Sequence, residues 1–142
     1  MDNYNVLVLM LRDKESKILT ETVDSFTLRE SMELIYSVYL SEEEFSFIYL
    51  TLTTQDVEDF EYYGIYDLYN EEIFEGLITE ILDGSGEFNP RWVFKFKYID
   101  NRIDMEDKIN QLIKLHTEEL HRIMPIIEDN KEKYKNESEH ED

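Results

Sequence analysis

Between residues 30 and 90 the chain carries sixteen Asp and Glu and not one Lys, Arg or His. A block of like charge that is poor in aromatic and β-branched residues stays unfolded, because it cannot bury enough apolar surface to offset the entropy of ordering. This block has seven Tyr and five Phe between Tyr36 and Phe88, interleaved with Ile and Leu. It therefore folds. An unpaired carboxylate inside a core costs several kcal/mol or loses its charge, so the acids must turn outward. The expectation is a folded domain with one strongly negative face.

The acidity belongs to that body and not to an appended tail. Of the net charge of -20, residues 1–29 contribute -1, residues 91–127 contribute +1 and residues 128–142 contribute -4. A length of 142 residues suits one domain that buries roughly two thirds of its unfolded surface without disulfide or metal. There is no Cys, no basic stretch follows Met1, and the longest clean apolar run, residues 6–11, is too short for a signal peptide or a membrane span. A cytoplasmic location is expected. The absence of alanine beside abundant Ile, Asn, Lys, Tyr and Glu is the bias of an AT-rich coding sequence, as in a low-GC bacterium or its phage.

Residues 4–11 (YNVLVLML) are apolar on both faces and read as a central strand covered on both sides. Residues 17–23 follow after a short charged turn and suit an antiparallel hairpin partner. Thr27 and Glu30 have capping-box spacing, and Leu28, Met32, Ile35, Tyr36 and Tyr39 recur at helical intervals, which predicts a helix from 28 to about 40. Residues 45–52 (FSFIYLTL) have the content of a strand. Residues 55–63 suit a short helix with Val57 and Phe60 inward. Residues 73–82 match a helical wheel, with Asn70 as cap and Glu71 and Glu72 on the N-terminal dipole. Gly76 argues against that helix, and residues 77–82 also suit a hairpin with the strand beyond, so helix is preferred on pattern and the segment stays open.

Residues 91–99 alternate, with Trp92, Phe94, Phe96 and Tyr98 on one face and Lys95 and Lys97 on the other. Ile109, Leu112, Ile113, His116, Leu120, Ile123 and Ile127 then form the stripe of a long amphipathic helix, capped by Asp104 and expected to kink or stop at Pro125. The fold class is α+β: a single domain over residues 1–128, an antiparallel sheet of about four strands with packed helices and a long C-terminal amphipathic helix, then a charged, disordered tail over 129–142.

A search for chemistry returns mostly negatives. No Gly-rich phosphate loop or G-x-S-x-G elbow is present, and a chain without Cys has no thiol mechanism. His116 and His121 are five apart and do not share a helix face as zinc ligands would; His116 reads as a buried ring whose nitrogens find partners. Asp83, Ser85, Glu87 and Asn89 alternate as in a calcium loop, but Phe88 and Phe94 stand where glycine and a bidentate glutamate belong, so the segment reads as an exposed connection. No cofactor or metal ligand set is assigned. A carboxylate-dependent metal hydrolase is the rival reading, with no dyad that the sequence locates.

The favoured reading is a non-enzymatic binding or inhibitory protein that meets a basic partner through its acidic centre. Glu58, Asp59, Glu61, Asp67, Glu71, Glu72 and Glu75 would supply the field, and Tyr62 and Tyr66 the aromatic anchors. Direct nucleic-acid binding is disfavoured, since Arg91, Lys95, Lys97 and Arg102 are too few against the overall charge. In charge and size the chain resembles small acidic inhibitors such as toxin-immunity proteins and phage-encoded nucleic-acid mimics, a likeness of class that covers no motif. It implies a nucleic-acid-binding protein or a toxin as partner, and the short apolar runs lead to the expectation of no membrane partner. The plainer alternative is that the charge serves solubility alone.

Overall fold

The pairing of two central strands sets the core. In β4 (Ser46–Leu52) and β6 (Trp92–Lys97), Ile48, Leu50 and Leu52 pair with Phe96, Phe94 and Trp92 in an antiparallel register, and all six are buried. Each contributes roughly 1.5–3 kcal/mol of transfer free energy. The computed structural model describes residues 5–30, 32–84 and 88–139. Around that pair stand β1 (Asn5–Arg12), β2 (Leu19–Leu28), β3 (Ile35–Glu42) and β5 (Glu80–Asp83), giving one six-stranded sheet in the order β2-β1-β3-β4-β6-β5. The architecture is α+β, with α1 (Asp59–Leu68), α2 (Arg102–Asp129) and α3 (Lys131–Glu139) among the described residues. The helices lie against the face that carries Trp92: Tyr69, which caps α1, stacks on the indole at 4.3 Å, and His116 of α2 meets it edge-on at 5.1 Å.

The sheet is mixed and has six strands, not four antiparallel ones. β1 and β3 run parallel, with Leu11 and Leu40 as their ladder pair. β1 is also not covered on both faces: Leu7 and Leu9 are buried, whereas Val6 and Val8 are 51% and 45% exposed. Position 4 lies outside the described residues.

Among the described residues of 28–40 there is no α-helix. β2 runs through Leu28, a 3-10 turn covers Met32–Leu34, and β3 begins at Ile35. The spacing of Leu28, Met32, Ile35 and Tyr39 fits a helix, but Val38 and Leu40 also alternate, and pairing with Leu50 and Ile48 decides the matter. The supposed capping segment is claimed by α2 instead: Glu106 accepts from the Thr27 amide and Asn110 Oδ1 accepts from the Arg29 amide at 2.7 Å.

Residues 73–82 are likewise not a helix. A 3-10 turn spans Glu71–Phe74, with Asn70 Oδ1 accepting from the Glu72 amide, and β5 pairs with β6 as a hairpin. Gly76 sits at φ 87°, a left-handed conformation that glycine adopts at little cost and that ends a helical run. The short helix expected over 55–63 begins later, and Phe60 is inward as predicted. α2 is capped by Asn101, whose Oδ1 accepts from the Asp104 amide, and it passes through Pro125 to Asp129 without stopping. Where a disordered tail was expected, the described chain turns at Asn130 and continues as α3 with Tyr134 buried. Ser85 and Glu87 of the calcium-like stretch lie outside the described residues.

Candidate functional site

The acidic residues singled out in the sequence lie on and around α1, and α2 fixes that element at three levels. Near the middle, Gly64 faces Ile127 so closely that a Cβ on it would lie 2.7 Å from the isoleucine side chain. At the C-terminal end, His116 joins Tyr69 to Thr53, the residue that follows β4, with 2.8 Å contacts at each ring nitrogen. One turn on, Glu119 is only 4% exposed; its carboxylate accepts from the Asn70 amide at 2.8 Å and from Arg122 Nε and Nη2 at 2.8 and 2.7 Å. Arg122 also donates to the Leu68 carbonyl at 3.2 Å. The Arg122 guanidinium, aided by the Asn70 amide, holds the Glu119 carboxyl below the usual carboxylate range despite burial. α1 and the turn after it are therefore a rigid platform.

The nine residues assigned to partner binding fall on α1, its N-cap and the turn that follows it. Glu58 and Glu61 build a capping box at the start of α1, the Glu58 amide donating to Glu61 Oε1 at 2.9 Å, so both also maintain the helix. Asp59 is exposed in the first turn. Tyr62 and Tyr66 meet edge to face at 4.9 Å, and Tyr66 reaches toward Trp92. Asp67 is engaged by α3. Glu71, Glu72 and Glu75 are exposed beyond the far end of α1, which is about 15 Å long. The structure brings Glu58 and Glu61 into contact, places Glu71, Glu72 and Glu75 on the turn after α1, and gives Asp67 to Tyr134 and Lys133 of α3.

Beside the N-terminus of α1 a cavity of about 340 Å³ opens between the Met32–Leu34 turn, the 54–57 loop, α1 and α2. Glu33, Asp56, Glu61 and His121 line it together with apolar Leu34, Val57, Leu120 and Met124. The acids are already oriented: Gln55 Nε2 donates to Glu33 at 3.2 Å and Asn89 Nδ2 donates to Asp56 at 3.1 Å. Among the predicted residues, Glu61 alone lines this cavity. Glu33, Asp56 and His121 were missed, because they come from three separate parts of the chain and no spacing links them.

The opposite face of the sheet carries the two lysines as expected. Lys95 lies between Glu43 at 3.3 Å and Glu80 at 3.9 Å and over the Phe47 ring, next to the stacked pair Tyr39 and Tyr49. Lys95 is thus paired with acids of its own chain, and Lys97 Nζ lies 4.1 Å from the centre of the Phe45 ring.

Among the described residues, no group of three or more His, Asp or Glu is arranged to hold a metal ion, and no helix is long and apolar enough to cross a membrane. A family model, described as a family of unknown function (DUF6762), matches residues 1–135. Neither the comparison with curated proteins nor that with solved structures gave a match.

Proposed function

We propose that this chain, which belongs to the DUF6762 family of unknown function, is a binding protein that recognises a basic protein partner through its acidic helical layer and seats one of the partner's long cationic side chains in the cavity beside α1. The observation that carries this reading is the composition of that cavity: Glu33, Asp56 and Glu61 around Leu34, Val57, Leu120 and Met124. Lysine and arginine pair an aliphatic stem with a charged head, so an apolar floor under carboxylates suits both parts of one side chain.

The remaining acids act at longer range. Exposed Asp59, Glu71, Glu72 and Glu75 extend the negative potential, which steers a basic partner and is screened by salt. The clamp from Glu119 and His116 supports the reading because a surface that is rigid beforehand loses little entropy on binding. The partner is of the kind whose own surface is built to neutralise phosphate, a nucleic-acid-binding protein or a toxin. The encounter belongs in the cytoplasm, where a chain without cysteine is indifferent to the reducing environment.

The test is affinity capture from the native host at low and high salt, followed by calorimetric titration of the captured basic protein against charge-reversed variants. Glu58 and Glu61 are spared because they cap α1. Glu33→Lys with Asp56→Lys should weaken binding tenfold or more, and Asp59→Lys with Glu71→Lys and Glu72→Lys a few-fold. Unchanged affinity in the first variant would overturn the seat assigned to the cavity, and salt-independent binding would overturn the reading as a whole.

A further inference from the structure

α3 rests on α1, although it follows α2 in the chain. Tyr134 is 2% exposed and its hydroxyl donates to Asp67 Oδ2 at 2.7 Å. Lys133 Nζ lies 3.8 Å from the same carboxylate oxygen. Lys131 and Lys135 place their ammonium groups 5.2 and 5.9 Å from the centre of the Phe60 ring. All three lysines of the segment thus reach the flank of α1 that carries Phe60 and Asp67. They are the three bases of the last fifteen residues, in a chain of net charge -20.

The segment has little else to hold it. Its sequence, KEKYKNESE, contains one aromatic and no aliphatic residue. Nine residues fall short of the length at which a helix persists unaided, so α3 owes its order to this docking. At the joint, Asn130 has left the helical conformation, with φ -115° and ψ 26°, which makes α3 a separate arm and not a continuation of α2.

We propose that the flank of α1 between Phe60 and Asp67 is an interaction surface for a helical segment that carries a tyrosine among lysines, and that α3 is its resident occupant, which such a segment of a basic partner must displace. The inference rests on the reading of the partner as basic and adds what it presents and what regulates access. The chemistry is visible in the resident: an aromatic ring that fills a buried position, a phenol hydroxyl given to Asp67, and ammonium groups over Phe60 and beside the carboxylate. An incoming segment gains no more contacts than α3 gives up unless α3 is loosened, so in the intact chain the surface is held closed.

A fluorescein-labelled synthetic peptide of residues 129–139 serves as the probe, titrated by anisotropy against full-length protein. Wild type should bind it weakly, because the resident competes at very high effective concentration. A full-length Tyr134→Ala, Lys133→Glu variant should lose hydrogen-exchange protection over residues 131–139 and bind the peptide at least tenfold more tightly. Adding Asp67→Asn to that variant should return binding to the wild-type level. If the loss of Tyr134 prevents folding, a Lys131→Glu, Lys133→Glu, Lys135→Glu variant keeps the buried ring and carries the same expectation with a smaller gain. The proposal is overturned if α3 is released without a gain in peptide affinity, if the gain ignores Asp67→Asn, or if α3 stays protected in every variant. Glu33 and Asp56 lie outside this contact, so their reversal should leave peptide binding intact; failure of the cavity reading and failure of this one therefore give different results.

Discussion

The Tyr69 hydroxyl lies 2.8 Å from His116 Nδ1, while Nε2 of the same ring lies 2.8 Å from the Thr53 carbonyl. A carbonyl cannot donate, so Nε2 carries the proton and donates to Thr53, and Nδ1 accepts from Tyr69. A neutral imidazole satisfies both neighbours, and an imidazolium would leave the phenol without its acceptor. Burial pushes the ring pKa from 6.5 down to about 4, a shift that the Thr53 carbonyl opposes.

That depression has a signed consequence for stability. Between pH 6.5 and about 4 the unfolded chain takes up a proton that the folded ring refuses, so the contribution is fully present above 6.5 and is lost as the pH falls through this window. The loss should amount to about 3 kcal/mol. Urea unfolding at half-unit intervals would measure it. A His116→Gln variant, whose side chain can still hydrogen-bond but does not titrate, should give a flatter profile over the same interval. Parallel profiles for the two proteins would contradict the assignment.

Gly64 makes a second prediction with opposing terms. Alanine in a helix interior is favoured over glycine by about 1 kcal/mol. Here the added Cβ would sit 2.7 Å from both Cγ1 and Cγ2 of Ile127, atoms next to the branch of a fully buried side chain that has little freedom to withdraw. Overpacking of this kind costs about 1–3 kcal/mol and should win. Gly64→Ala is expected to lower the urea midpoint, and pairing it with Ile127→Ala should cost less than the sum of the two single changes. Strict additivity would mean that the two residues do not confront one another.

What could be read from the sequence follows from which signals were unambiguous. β6 and α2 each have one dominant period, two residues for the strand and 3.6 for the helix, β4 has the β-branched and aromatic content of a strand, and each is found where that signal placed it. Residues 28–40 carry both periods at once, and only Leu50 and Ile48 across the sheet decide between them. Residues 73–82 carry a helical pattern that Gly76, in its left-handed conformation, interrupts. α3 was illegible for a different reason: Tyr134 is a lone aromatic in a charged stretch, and its importance depends on Asp67, 67 residues earlier. The acidity of the centre was plain, but the cavity was not, because Glu33, Asp56 and His121 are assembled by the fold alone.

The clamp on Asn70 can be taken apart in steps. Glu119→Ala removes the acceptor for one amide and for two donors of Arg122; since Arg122 is half exposed, water recovers part of its share. A loss of roughly 1.5–3 kcal/mol is expected, the value of a hydrogen bond to a charged group. Glu119→Gln keeps an acceptor and should lose less. Hydrogen exchange at the Asn70 amide should quicken in the alanine variant before global unfolding is reached. If exchange there is unaltered, the 70–75 turn is held by something other than Glu119.

Pro125 is the one residue of α2 that works against its helix. It lacks the amide that would donate to the His121 carbonyl, yet the helix continues to Asp129 and buries Ile123 and Ile127 on either side. Tertiary packing therefore outweighs a local penalty of about 3 kcal/mol. Because Pro125 is exposed, Pro125→Ala can restore the missing hydrogen bond without touching the core. It gives back up to about 1 kcal/mol through the freer unfolded chain. A net gain of about 1–2 kcal/mol is expected, read as a higher urea midpoint with an unchanged slope. A loss in the same measurement would mean that the proline sets a bend which Ile127 needs in order to reach Gly64, and the Gly64→Ala penalty should then shrink in the Pro125→Ala background.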